Sequence, residues 1–306
     1  MKDATRLNGL GIALATPFLP PGPGSPGAGG IDFPAWRKLV RHVVKGGVDF
    51  LVVLGSTGEA ATVLGDERDE LIRTAKEECG GIPVVVGTGH NSTVAAAELA
   101  AGAARLGADG LLVVTPYYNK PQPAGLEAHY RFVAAAAPEL PIILYNVPGR
   151  TGLNLLPKDL PRLWAIPQVV GLKESSGNLA QIGEIARTLP KGKVLLSGDD
   201  ALALPAIAVG ATGLISVAGN LLPAETKALI VAAVAGRRAE AIAIHQRLLP
   251  IMDALFLESN PVPLKAALAI AGICGADPRL PLFPASEATR ARLAELIDQL
   301  NGKGSK

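Results

Sequence analysis

Residues 169–178, VVGLKESSGN, place a lysine at the end of an apolar run and directly before a polar turn. The run from Val169 to Leu172 predicts a buried β-strand, and burying an ammonium group among apolar side chains is costly. Two interpretations of Lys173 follow. Either the aliphatic stem is buried while the ammonium group reaches solvent, or the surroundings favour the neutral amine form of this lysine.

Short apolar runs of this kind recur along the chain and alternate with longer segments whose apolar residues are three or four positions apart. The runs are continuously apolar, as in a parallel sheet that is covered on both faces. Eight strand–helix units in about 220 residues predict a (β/α)8 TIM barrel, since the alternative, an open doubly wound sheet, usually has about six strands. The predicted strands are 10–18, 49–57, 83–89, 110–118, 141–147, 169–174, 194–197 and 213–217.

The helical segments complete this organisation. Asp32 followed by Pro34, and Ser92 followed by Thr93, are typical helix starts. We predict a single structural unit, because no linker of disordered composition divides the chain. Residues 1–220 form the barrel through strand eight, and residues 221–306 form its last helix and additional C-terminal helices. The predicted helices include 33–45, 66–78, 93–106, 126–137, 224–249, 263–273 and 286–300.

Composition and spacing exclude several classes of protein. The 306 residues carry a formal net charge of +2 with no basic stripe or acidic tail, so neither nucleic acid nor membrane is an expected partner. Cys79 and Cys274 form no CxxC and no histidine pair has metal-binding spacing, so no disulfide framework or metal site is expected. The apolar segment 10–15 lacks the positive start of a secretion signal, which favours the cytoplasm. The segment 19–30, LPPGPGSPGAGG, predicts a surface loop.

Side chains that could take part in catalysis or binding follow the predicted strands, and the carboxyl ends of the strands build the active site of such a barrel. Lys173 lies among hydroxyls and glycines there, and apolar neighbours would favour its neutral, nucleophilic amine. Tyr145 could relay protons or be a core tyrosine. The Ser56–Thr57 turn could bind a carboxylate or simply cap a helix, and Arg150 could hold a carboxylate or form a surface ion pair. Together they predict Schiff-base chemistry.

Seven motifs carry a resemblance that spans about residues 11–300. In order and spacing the chain resembles the dihydrodipicolinate synthase family of class I aldolases, in the N-acetylneuraminate lyase superfamily. The resemblance implies a lyase that condenses pyruvate with L-aspartate 4-semialdehyde in diaminopimelate and lysine biosynthesis. It also implies a homotetramer, a dimer of dimers, without metal or organic cofactor. The motifs are GSTGE, TPYYNKP, YNVPGRTG, LKESSGN, SGDD, GLISVAGN and ESNPVPLK.

The same resemblance implies roles for individual residues. Lys173 would form the imine with the ketone of pyruvate. Tyr145 would relay protons, with Thr57 linking it to Tyr118 of a neighbouring subunit. Ser56, Thr57 and backbone near Ile215 would hold the pyruvate carboxylate. Arg150 would hold the carboxylate of the semialdehyde, and Gly198 would leave space beside the imine.

Two departures from the family pattern leave the acceptor open. Ser56 stands where the family more often has a threonine, and KESSGN replaces a KEATG-like turn, as in sugar-acid aldolases. Arg150 favours the synthase over another Schiff-base aldolase acting on sugar acids or hydroxy-oxo acids. An intact Lys173 and Tyr145 disfavour a silent protein that only binds 2-oxo acids.

Control by L-lysine is expected to be weak or absent. Lysine-sensitive members of the family bind the inhibitor with a glutamate and other polar groups in a cleft at the dimer interface. Ala95 takes the position of that glutamate here, and a ligand ammonium needs a carboxylate to replace its lost hydration. Glu59 or Glu98 is the alternative carboxylate. The positions after GSTGE, where lysine-sensitive members carry the other polar groups, are Ala60, Ala61, Gly65 and Arg68.

Overall fold

The computed structural model describes residues 2–22 and 29–302. Eight parallel strands form a closed barrel in which each strand pairs with the next and the eighth pairs with the first. The predicted (β/α)8 barrel is therefore confirmed. The strands are β1 (Gly9–Ala13), β2 (Phe50–Val53), β3 (Val84–Gly87), β4 (Gly110–Val114), β5 (Ile142–Asn146), β6 (Val169–Glu174), β7 (Val194–Ser197) and β8 (Gly213–Ser216).

Helices surround the barrel and continue beyond it. The Asp32 carboxylate accepts a hydrogen bond from the Ala35 N–H, and the Ser92 hydroxyl accepts one from the Ala95 N–H, so both predicted N-caps are present. The helices are α1 (Phe33–Lys45), α2 (Gly65–Glu78), α3 (Thr93–Arg105), α4 (Pro123–Ala136), α5 (Pro148–Thr151), α6 (Leu160–Trp164), α7 (Leu179–Thr188), α8 (Ala203–Ala208), α9 (Pro223–Val234), α10 (Arg238–Ala254), α11 (Val262–Ile270) and α12 (Glu287–Leu300).

Two of the predicted elements differ most from the structure. The segment 224–249 is not one helix, because Gly236 adopts a φ of 70° and separates α9 from α10. The first strand ends at Ala13 rather than at residue 18, and Phe18 instead forms an antiparallel bridge with Ile31. That bridge lies at the base of the predicted loop 19–30. Residues 23–28 of the loop lie outside the described residues.

The barrel has a separate inner core, to which β6 contributes through an irregularity. Ile142 pairs with Val169, but the next residue, Ile143, pairs with Gly171, so β6 contains an extra residue. Val170 consequently packs inside the barrel, and the residues that follow regain the alternation of β5. Lys173 therefore points inward, opposite Tyr145. The inner core comprises Leu7, Ala13, Phe50, Val52, Val85, Leu112, Ile143, Tyr145, Val147, Val170, Leu196 and Ile215.

Residues 2–22 and 29–302 lack both a membrane-spanning helix and a metal-binding cluster. None of the helices there combines the length and the apolar character that crossing a bilayer requires. The same residues contain no group of three or more His, Cys, Asp or Glu side chains that could hold a metal ion.

Candidate active site

Lys173 and Tyr145 form the centre of the candidate site. Their Cα atoms are partners in the pairing of β6 with β5, and Lys173 Nζ lies 4.4 Å from the centroid of the Tyr145 ring. Lys173 is only 3% exposed and Tyr145 only 6%. The lysine therefore does not extend into solvent, and the first of the two interpretations of VVGLKESSGN is wrong.

A hydrogen-bond network on the next pair of residues holds these strands in register. Asn146 Nδ2 donates to Glu174 Oε2 at 2.9 Å and to Asn154 Oδ1 at 2.9 Å. Asn146 Oδ1 accepts from the Leu155 N–H, and Glu174 Oε1 accepts from the Ser176 N–H. Because Asn146 and Glu174 are buried and directly follow Tyr145 and Lys173, a slip of one strand would leave these polar groups without partners.

A cavity of about 140 Å³ opens above Lys173. It brings together most of the predicted site residues, but Ile215 lies below it in the inner core, and β8 is followed at the cavity wall by Val217. Tyr118 is 87% exposed and is not one of the described residues that line the cavity. The lining residues are Ser56, Thr57, Tyr145, Val147, Arg150, Lys173, Ser175, Gly198, Asp199, Val217, Phe256 and Asn260.

The role of Thr57 as the link to Tyr145 stays a prediction. Thr57 Oγ1 accepts a hydrogen bond from Asn260 Nδ2 at 2.9 Å, and the neighbouring Ser56 lies close enough to Tyr145 to lower the pKa of its phenol. Burial alone raises the pKa of the Tyr145 phenol. The charge of Lys173, the nearby Ser56 hydroxyl, the charge of Arg150 and the nearby Ser175 hydroxyl together outweigh burial and hold this pKa below its ordinary value. Tyr145 is thus suited to exchange protons above Lys173.

Gly198, which is predicted to leave space beside the imine, lies directly against Lys173. A Cβ atom added at this glycine would lie 2.7 Å from Lys173 Cε and 1.9 Å from Ser175 Oγ. Any side chain at position 198 would therefore displace the lysine or fill the position of the Ser175 hydroxyl.

Asn260 is a site residue that was not predicted individually, although it lies in the motif ESNPVPLK. It is 5% exposed, donates to Thr57 and accepts a 3.0 Å hydrogen bond at its carbonyl oxygen from Arg150 Nη2. A single residue before α11 thus contacts both the turn after β2 and the arginine after β5. Its signal in the sequence was an asparagine before proline, which predicts only a turn.

A buried ion pair supports the same turn from below. Lys265 Nζ on α11 lies 2.5 Å from Glu59 Oε1, and the two side chains are 0% and 2% exposed. Glu59 has a φ of 51°, which is strained for a residue other than glycine. Its second oxygen accepts from the Arg279 N–H, and Lys265 Nζ lies 4.1 Å from the centre of the Phe18 ring.

A larger cleft of about 920 Å³ adjoins the site and shares Ser56, Tyr145 and Arg150 with it. Arg68 lines this cleft and donates to the carbonyl oxygens of Ala60 and Gly87. The positions considered above for L-lysine binding all share this cleft. Those that line it are Glu59, Ala60, Ala61, Gly65, Arg68, Ala95 and Glu98.

Comparison with known proteins agrees with this geometry. A family model described as the dihydrodipicolinate synthetase family matches residues 6–300. The chain belongs to this family. A 4-hydroxy-tetrahydrodipicolinate synthase from a Cyanothece species is 43% identical over 290 residues, which cover 94% of this chain and 96% of that protein.

Solved structures of dihydrodipicolinate synthases have the same fold. The crystal structure of the enzyme from Aquifex aeolicus has a TM-score of 0.90 and 39% identity, and the match covers 98% of this chain and all of that one. A structure described as the first monomeric dihydrodipicolinate synthase variant has a TM-score of 0.91 and 39% identity, covering 97% of this chain and 98% of the other. The family resemblance of the sequence is thereby confirmed.

Proposed function

We propose that the chain catalyses the 4-hydroxy-tetrahydrodipicolinate synthase reaction, the condensation of pyruvate with L-aspartate 4-semialdehyde through an imine on Lys173. The observation that carries the proposal is the position of the Lys173 amine against Tyr145 in a small cavity, with Arg150 at its mouth. The cavity is small, which suits a three-carbon donor. Arg150 is exposed, so it can meet a carboxylate that arrives from solvent.

The residues divide the chemistry between them. The Lys173 amine adds to the ketone carbon of pyruvate, and both amine protons leave with the ketone oxygen as water when the C=N bond forms. Loss of a proton from the methyl carbon gives the enamine, which attacks the aldehyde carbon of the acceptor. Tyr145, whose pKa is lowered, accepts and returns these protons. The N–H groups of the Ser56–Thr57 turn would hold the pyruvate carboxylate.

Reductive trapping tests the donor and the lysine. Borohydride added with pyruvate should attach a three-carbon adduct to Lys173, detectable by peptide mass spectrometry, and Lys173→Ala should give none. An unmodified Lys173 would contradict the proposal. Turnover with L-aspartate 4-semialdehyde should exceed turnover with sugar-acid aldehydes, and the reverse order would identify the chain as a different aldolase of the superfamily.

We further propose that Tyr118 acts on a second copy of the chain, within the tetramer implied by the family resemblance. Two features of Tyr118 support this assignment. It is 87% exposed, which is unusual for a tyrosine that has no partner surface, and its φ of 75° is strained. An exposed side chain held in this way is suited to reach into a neighbouring subunit.

A further inference from the structure

The Ser175 hydroxyl is the one polar group of the small cavity that the family pattern does not provide. The side chain follows Lys173 by two residues in KESSGN, where the family usually has a KEATG-like turn. It lines the cavity together with Lys173, Tyr145 and Gly198. The position that a Cβ atom of residue 198 would occupy is only 1.9 Å from Ser175 Oγ and 2.7 Å from Lys173 Cε. The hydroxyl and the lysine thus lie against the same glycine.

This hydroxyl has no good partner within the free chain. Its oxygen is buried and makes no hydrogen bond of acceptable geometry to any of the described residues. Its proximity helps to lower the pKa of Tyr145, but less than Lys173, Ser56 and Arg150 do. A buried hydroxyl without a partner costs free energy. A group that binds in the cavity can remove that cost by supplying an oxygen atom.

We propose that Ser175 is a further catalytic residue, whose hydroxyl hydrogen-bonds to the ketone oxygen of the 2-oxo acid while Lys173 adds to the adjacent carbon. This inference rests on the proposed function, since it needs an imine on Lys173. The C–N bond forms, the oxygen takes both protons of the amine, and the C–O bond breaks to release water. Tyr145 transfers the protons, and Ser175 holds the oxygen that receives them.

The structure predicts opposite effects of Ser175→Ala on stability and on rate. Removing a hydroxyl that has no partner should leave Tm unchanged or raise it. The same change should slow imine formation, because it removes one hydrogen bond from the oxygen that must leave. We expect about a 10-fold slower rate, the equivalent of one such bond.

Ser176→Ala is the matched control. Ser176 is the next residue, does not line the cavity, and its Oγ accepts a hydrogen bond from the Asn178 N–H. The experiment adds saturating pyruvate to each enzyme, quenches with borohydride at increasing times, and measures the adduct on Lys173. Thermal unfolding of the three proteins is recorded in parallel.

Each outcome has a definite meaning. Slower trapping in Ser175→Ala alone, with Tm maintained, supports the inference. Trapping at the parental rate overturns it and leaves the proposed function intact. A Tm lowered by several degrees would show that Ser175 is structural, and would also overturn it. Absence of any adduct in the parent protein would contradict the proposed function itself, and the inference with it.

Discussion

Arg150 Nη2 donates a 3.0 Å hydrogen bond to the backbone carbonyl oxygen of Asn260, at the mouth of the candidate site. A guanidinium group has five N–H donors, so this bond orients the side chain and leaves most of its donors available. The helix α5 that carries Arg150 is only four residues long. Because so short a helix holds a side chain loosely, the contact with Asn260 helps to fix the position of the Arg150 guanidinium group. An arginine oriented in this way can bind a carboxylate with little loss of conformational freedom.

Replacing this arginine should separate the two half-reactions. Arg150→Leu should leave imine formation with pyruvate largely intact and lower turnover with L-aspartate 4-semialdehyde about 10- to 100-fold, because one charge-assisted contact is lost. Trapping and steady-state assays on the same preparation measure both effects. Arg162→Leu, whose side chain is 61% exposed, is the control. Equal turnover in Arg150→Leu and the parent would show that the acceptor carboxylate binds elsewhere.

Subunit mixing tests the position of Tyr118. Lys173→Met and Tyr118→Phe should each be nearly inactive, but unfolding and refolding them together should restore about a quarter of the parental activity if random dimers form and Tyr118 acts on its partner. In a mixed dimer, one site would then combine an intact Lys173 with an intact Tyr118 from the other chain. No recovery, with mixed dimers demonstrated by native mass spectrometry, would place Tyr118 in its own subunit's site or outside catalysis.

The buried pair Glu59–Lys265 should be strongly coupled. Lys265→Met leaves the Glu59 carboxylate buried without its cation and should destabilise the fold by about 3–5 kcal/mol. The double variant Glu59→Gln with Lys265→Met should recover much of this loss. Denaturant unfolding measures both. The exposed pair Arg292–Glu295 is the control, where Arg292→Met should cost under about 1 kcal/mol. Additive losses at Glu59 and Lys265 would contradict the coupling.

His129 should make the protein less stable in acid. Burial lowers the pKa of its imidazole to about 4, and only its Nδ1 has a partner, Thr93, among the described residues. The unfolded chain binds the proton more tightly, so stability falls as pH drops through about 6.5 and levels off below about 4. The loss attributable to this group is about 3 kcal/mol, from the cited shift and 1.36 kcal/mol per pKa unit.

Urea unfolding of the parent and of His129→Gln at several pH values measures this contribution. The parental curve should be steeper than that of His129→Gln between pH 4 and 6.5, the window set by the lowered pKa. His42→Gln on α1 is the histidine control. Parallel curves for His129→Gln and the parent would show that another group is responsible for the acid sensitivity.

L-Lysine should inhibit weakly or not at all. Ala95 and Arg68 share the large cleft, and the Glu59 carboxylate, one of the two alternatives, is already paired with Lys265. Glu98 is the alternative that remains in the lining. A titration of initial rate against L-lysine decides the question. Half-inhibition below about 1 mM, a binding free energy near −4 kcal/mol, would contradict the prediction, and loss of that inhibition in Glu98→Gln would then identify the carboxylate.

The sequence predicted the barrel and the inward lysine because both depend on local patterns. Each strand is a short apolar run, and the strand-end residues of a closed barrel converge whatever the details of packing. The partner of the Thr57 hydroxyl could not be predicted. Adjacent hydroxyls in a turn point in different directions, and the hydrogen bond from Asn260 to Thr57 joins residues 203 positions apart.

The contacts made by Asn260 and Lys265 could not be predicted from the sequence for a related reason. Asn260 and Lys265 act on Thr57 and Glu59 across about 200 residues of chain, and no periodicity connects such distant positions. Ser175 illustrates the opposite case. Its departure from the family pattern was visible in the sequence, but the absence of a partner for its hydroxyl was visible only in the structure.

The bond between Asn260 and Thr57 also has a consequence for the order in which the protein becomes active. Thr57 is made 203 residues before Asn260. A nascent chain can therefore complete every strand of the barrel and carry Lys173, Tyr145 and Arg150 while the turn after β2 and the arginine still lack the residue that holds them. The active site is thus complete only when the segment before α11 has left the ribosome and docked on the barrel.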